Sequence, residues 1–359
     1  MINLEINSHI LERHRTFLIN SPLFQNIQKC LENTSLTTVK RVFGEEIVNP
    51  HYEFFQCLKR EYQNLLKKDN DNIFIGTPAY LHSFIQNVKQ EHKKVQQKIE
   101  TDPKYSNYIY TIFGYDQFVN SHNLINNIKS AEENIKDTTL ENFDNIEEKF
   151  KWSAYAYVLS LKIKVCPYCN RNYILPLYSE NGKMRADLDH FFAKNKYPYL
   201  SISIYNLVPS CKYCNSSLKG KQEFTYEGNF HPFDKISADR LYRITYVPKS
   251  TDCFLGKEDF DIELEYNQEE KDWKKMKSNH DVFKIKETYQ YHRDIVAGFI
   301  KKRYIYDDGY IEYLLKTYPN LFSSREEVVS FLLSPHNISQ AENAPLGKLM
   351  KDLMEEMDF

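Results

Sequence analysis

Apolar residues recur at three- and four-residue steps through the first 150 positions. The runs HYEFFQCLKREYQNLLKK (51–68) and TPAYLHSFIQNVKQEHKKVQQKIE (77–100) each place one apolar stripe between charged faces, the mark of amphipathic helices. Thr77-Pro78 supplies an N-cap and a proline suited to the first helical turn. The polar stretch 131–148 predicts a solvated helix or linker, and WSAYAYVLSLKI (152–163) an apolar helix. The period then shortens. NYILPLY (172–178) and MRADLDHF (184–191) are β-prone runs joined by a Ser-Glu-Asn-Gly turn signal. YPYLSISIY (197–205) reads as a half-buried strand, and LYRITYV (241–247) and DFDIELEYN (259–267) alternate as strands do. From about 277 the helical period returns, in residues 280–305, SREEVVSFLLS (324–334) and PLGKLMKDLMEEM (345–357). The pattern predicts an α+β protein in three parts: a helical region (1–150), a small mixed module (151–235), and a short β segment leading into helices (236–359).

Composition narrows the class. The chain has 359 residues, 42% hydrophobic and 27% charged, enough for two or three packed domains and too apolar for wholesale disorder. No apolar run approaches the ~20 residues of a membrane span. The start, MINLEINSHILERHR, is interrupted by acids and lacks a small-residue cleavage site, unlike a secretion signal. A soluble, cytoplasmic protein that does not engage membranes is expected.

Charge is unevenly spread. Residues 1–150 hold 17 basic and 20 acidic side chains (net −3), residues 151–221 hold 11 and 3 (net +8), and residues 222–359 hold 19 and 26 (net −7). A basic island between acidic flanks is the footprint of a polyanion site. Inside it lie Cys166-Pro-Tyr-Cys169 and Cys211-Lys-Tyr-Cys214. Two C-x2-C knuckles supply the four thiolates of a closed tetrahedral zinc site, a structural ion that staples a module with little core of its own. A redox pair would need only one such motif.

Between the knuckles stand Asp187-Leu-Asp189-His190, Asn206 and, beside the second knuckle, Asn215. Strand alternation puts Asp187 and Asp189 on one face and His190 on the other. Hydrolysis of a phosphodiester needs a base for water and a cation for the phosphoryl oxygens. An imidazole titrates in the range such a base requires, and Asp189 and the Asn215 carbonyl are hard oxygen donors suited to Mg²⁺ or Mn²⁺. Arg171, Lys194, Lys196, Lys219 and Lys221 flank the motif as candidate phosphate contacts.

Asp-His, then Asn, then Cys-Asn, bracketed by paired cysteines, resembles the HNH endonuclease family over roughly residues 163–222. The resemblance implies a ββα-metal fold in which His190 is the general base, Asp189 and Asn215 hold the catalytic metal, and Asn206 orients the intervening loop. Many HNH proteins have His where this chain has Asn215, and the Asp-His…Asn…Asn order is similar to that of RNA-guided CRISPR nucleases. Asp187 matches the first acid of an Asp-x-Asp-His pattern in some relatives. A looser likeness, running on to His231-Pro-Phe, is to bacterial HNH proteins of antiphage defence, some partnered with an ATPase. The expected function is therefore metal-dependent cleavage of nucleic acid, DNA favoured over RNA. The alternatives are a zinc module that binds DNA or RNA without cutting, or a subunit whose helical flanks assemble a larger complex.

Overall fold

The computed structural model describes residues 1–69, 71–120, 137–145, 147, 150–179, 183–333 and 343–357. Residues 131–136 of the polar stretch and the Glu180-Asn181-Gly182 part of the turn lie outside them. The amphipathic runs of the first part form helices Val48–Leu66, Pro78–Glu91 and Lys93–Thr101. Thr77 caps as its position predicts, its hydroxyl accepting from the Tyr80 amide at 3.4 Å. The 77–100 run breaks at His92, which leaves helical geometry (φ −117°) with its ring edge-on to Phe54 at 5.5 Å. Phe54, Phe55, Leu58, Tyr62 and Leu65 bury one face of the long helix.

Among the described residues three small antiparallel sheets follow. β1 (Asp137–Thr138), β2 (Leu177–Ser179) and β3 (Lys183–Met184) form one, and β4 (Asp187–His190) pairs with β5 (Leu207–Ser210). β6 (Tyr242–Pro248) pairs with β7 (Phe260–Tyr266). Helices Trp273–Phe283, Arg293–Ile305, Asp308–Thr317, Arg325–Leu333 and Gly347–Glu356 complete the described chain. The last packs on β6, where the Ile244 amide donates to Asp352 at 2.8 Å. No described helix is long and apolar enough to cross a membrane.

YPYLSISIY does not form the strand expected of it. Pro198 starts one 3-10 turn (Pro198–Leu200) and a second follows (Ile204–Asn206), with residues 197–204 buried throughout. Enclosure on all sides removes the in-out alternation that a half-buried strand needs. The first part packs here directly: Phe54 meets Tyr199 at 5.5 Å between ring centroids, and the Ile204 amide donates to the Phe74 carbonyl at 2.9 Å. One continuous apolar core thus runs through all three parts of the chain.

Candidate active site and zinc cluster

The first knuckle sits at the tip of a tight loop, the Cys166 amide donating to Asn172 and the Asn170 amide to the Cys166 carbonyl. Asn170 takes a left-handed conformation (φ 48°), a role its short polar side chain tolerates. The second knuckle opens the helix Tyr213–Lys219, whose wide π-type turns place the Gly220 amide on the Asn215 carbonyl five residues back at 3.0 Å. All four sulfurs are buried and lie within 4.8 Å of one another, with Cys169 and Cys211 at 4.0 Å. Ligands on a tetrahedral zinc, at Zn–S about 2.3 Å, stand about 3.8 Å apart, so this donor set and span fit the ion. The Asn172 amide group donates to Cys211 Sγ at 3.3 Å and Cys169 Sγ at 3.7 Å, the outer contact that steadies thiolate ligands. Hydrogen bonding from Cys166 pulls the Cys169 and Cys211 thiols down, while burial pushes the Cys166 thiol up and hydrogen bonds from the other three cysteines push Cys214 up.

β4 runs beside this cluster. Its register sets Asp187 against Ser210, Asp189 against Val208 and His190 against Leu207. As alternation predicts, Asp187 and Asp189 share a face, and that face meets the Tyr213–Lys219 helix. Two residues of strand match one helical turn, so each acid meets its own partner. Asn215 Nδ2 donates to Asp187 Oδ2 at 3.2 Å, and Lys219 Nζ donates to both Asp189 oxygens at 2.8 and 2.7 Å.

This pairing corrects two expectations. Asn215 is brought to Asp187, whereas Asp189 is closed by the Lys219 ammonium and by the Tyr168 hydroxyl at 2.6 Å. Lys219 is not an exposed phosphate contact. It is 3% exposed, it also donates to the His190 carbonyl at 2.8 Å, and its ammonium lies over the Phe224 ring at 4.7 Å. A buried carboxylate one pleat away captures the lysine because neither charge is tolerated alone in the interior. Burial lowers the Lys219 pKa, and Asp189 works against that.

His190 projects from the opposite face. Its Nε2 lies 2.9 Å from the Ser201 carbonyl, and its ring meets Tyr115 edge-on at 4.7 Å. Burial holds the imidazole down to about 4, with Lys194 and Lys219 pushing the same way. The ring is therefore neutral near pH 7. A nitrogen bonded to a carbonyl must carry the hydrogen, which leaves the lone pair on Nδ1. Asn206 is fully buried and clamps the loop after β4, accepting from the Phe192 amide at 2.7 Å and donating to the Phe192 and Leu200 carbonyls.

Of the other basic candidates, Lys194 is exposed, with its ammonium over Tyr110 at 5.2 Å and Tyr115 at 5.5 Å. Lys221 is exposed, Lys196 pairs with Glu223, and Arg171 Nε donates to His292 at 3.1 Å. His231 is packed against Phe191, ring centroids 4.0 Å apart. Sequence reasoning missed Tyr115 and Tyr110, which come from the N-terminal helical part to wall the His190 side. Nothing in their spacing ties them to residue 190.

The fold and cluster together define a helix-rich chain with small antiparallel sheets and four buried cysteines able to hold zinc. Over 111 residues, 31% of its length, the chain is 31% identical to the Septu protein PtuB of Bacillus thuringiensis. That match spans 40% of the relative's length. No protein-family profile matches the chain, and no solved structure matches it.

Proposed function

We propose that this chain is a metal-dependent endonuclease of the HNH type, acting on nucleic acid, DNA before RNA, within a bacterial antiphage defence system. The observation that carries the reading is the neutral imidazole of His190. Its Nε2 is fixed on the Ser201 carbonyl and its Nδ1 lone pair is left to take a proton, on a strand that faces an Asn-bearing helix beside a zinc-type cluster. Nδ1 accepts the proton of the attacking water, and the Ser201 carbonyl steadies the imidazolium that results. Lys194, above the two tyrosines, receives a phosphate.

Asn215 and Asp187, already side by side, would hold Mg²⁺ or Mn²⁺, and Asp189 joins them only where the Lys219 ammonium gives way. When bound, that cation would stabilise charge on the phosphoryl and leaving oxygens. Zinc in the cysteine cluster keeps strand and helix in register. The partial match to a Septu protein supports the defence setting, and the resemblance to antiphage HNH proteins implies an ATPase partner.

The test is cleavage of plasmid and single-stranded substrates with Mg²⁺ or Mn²⁺. His190→Ala should lower the rate by roughly 10²–10⁴-fold while the chain stays folded with its zinc, at a stability cost of about 1–3 kcal/mol for the Ser201 carbonyl left without its partner. An inactive wild type that still binds nucleic acid would instead select the non-cutting zinc module. The sealing of Asp189 by Lys219 is the observation favouring that second reading.

A further inference from the structure

The acidic C-terminal part contains its own basic island. Residues 271–286 hold six lysines against two aspartates, a net of +4, so the rest of 222–359 carries −11. Most of this segment is the helix Trp273–Phe283, and the fold lays it against the Tyr213–Lys219 helix. Between them opens a solvent-facing groove of about 690 Å³. Its walls include Ser217 and Leu218 on one side and Trp273, Lys274, Lys277 and Lys284 on the other.

We propose that this groove is a second nucleic-acid contact, holding the sugar-phosphate backbone of the strand that reaches the His190 site. The proposal rests on the endonuclease reading for its choice of polyanion. Three exposed lysines line the groove, and Asp281 is the one acid among its lining residues. Asp281 is held by Lys277 at 2.7 Å, a solvent-exposed pair that a phosphate exchanges at little cost. Lys274 lies over the Trp273 ring at 5.7 Å, and Lys284 ends its helix in a left-handed conformation (φ 50°). Leu218 and Trp273 give the groove an apolar wall on which a sugar or base can rest.

Its position fits a strand passing the candidate site. Asn215 and Lys219 face β4, and Ser217, two residues on, faces away from it. The groove therefore lies about one helix diameter, roughly 10 Å, from Asn215. Phosphates advance about 3.4 Å per nucleotide along a duplex axis, so the groove would receive the backbone at least about three nucleotides from Asn215, and further from His190 on the opposite face of β4. The basic stretch 271–286 thus packs against the Tyr213–Lys219 helix of the first basic island.

The experiment measures anisotropy of a fluorescein-labelled DNA duplex and single strand on the full, zinc-loaded chain carrying His190→Ala, without divalent cation. Salt is varied between about 50 and 200 mM. Combined Lys274→Gln, Lys277→Gln and Lys284→Gln should weaken binding at least tenfold at low salt. It should also flatten the slope of log affinity against log salt by roughly 2–3. The same three neutralisations at Lys40, Lys67 and Lys316, exposed lysines outside the groove, should change affinity less than about threefold. Zinc content and melting confirm that each variant is folded.

Equal losses from the two triple variants would overturn the proposal, since net charge alone would then explain them. Unchanged binding in the groove variant, with wild-type cleavage intact, would overturn it and leave the endonuclease reading standing. Groove-dependent binding in a chain that never cleaves would uphold the groove and remove the nuclease.

Discussion

The cysteine cluster and the β4 site are neighbours that solve the same problem differently. Each joins residues from before and after the segment 191–206 that connects β4 and β5. The cluster does so with one kind of atom: four sulfurs, all buried, with zinc as the shared partner their spacing fits. The β4 site uses two carboxylates, an amide, an ammonium and an imidazole, and each has more than one acceptable partner. Asp189 satisfies itself with Lys219 and Tyr168, while Asp187 and Asn215 remain half-buried beside one another. A closed shell is rigid and inert, whereas a mixed one leaves part of its bonding capacity for a ligand.

The largest test of this contrast removes the sulfur shell. Cys211→Ser, or a strong chelator, should abolish cooperative folding of the 163–222 segment, because structural zinc contributes about 10–16 kcal/mol in small zinc modules. Metal analysis should find one zinc per folded chain. A Cys211→Ser chain that melts like wild type would show the cluster to be dispensable.

Next is the buried ion pair. Lys219→Met strands the Asp189 carboxylate and should cost about 3–5 kcal/mol by denaturant unfolding, whereas Lys219→Met with Asp189→Leu should recover most of that. Equal losses in the single and double variants would mean that the pair is not coupled as the geometry says.

Glu61 offers a contrast in partners. It is a buried carboxylate whose partners, Tyr80 and the Ile73 amide, carry no charge, and burial pushes it up to about 7 from its ordinary 4.5. The folded value lies above the unfolded one. Stability from this group is therefore complete below about pH 4.5 and falls away as pH rises to about 7. Glu61→Gln should be neutral at low pH and stabilise by about 2–3 kcal/mol at pH 8, read from paired denaturant curves. A pH-independent difference would refute the assignment.

The smallest expected effect concerns the link between the two sites. Tyr168→Phe deletes the hydroxyl that joins the first knuckle to Asp189 and should cost about 1.5–3 kcal/mol without loss of zinc.

How far the sequence was legible follows the same division. The C-x2-C spacing led straight to a cluster because thiols at that separation have few other uses, and period-3.6 stripes gave helices where one face is solvated. Alternation placed Asp187, Asp189 and His190 on the correct faces of β4. It could not say which acid would take Lys219, since that depends on the pitch of a π-type helix that no residue pattern announces. YPYLSISIY misled for a related reason: burial on every side leaves no periodic signal to separate turns from strand. Tyr115 comes from a part that only tertiary packing brings to the site.

The turn after β4 carries one further lesson. His190 holds the carbonyl of Ser201, and His14, from the helix Ser8–Asn20, holds the next carbonyl, that of Ile202, at 2.9 Å, while Trp152 donates to its other nitrogen at 3.0 Å. Two imidazoles thus grip successive peptide units. Anyone transplanting the knuckles and β4 into a foreign scaffold would have to carry over a surrogate for His14. Without it the His190 imidazole would hang from a slack tether.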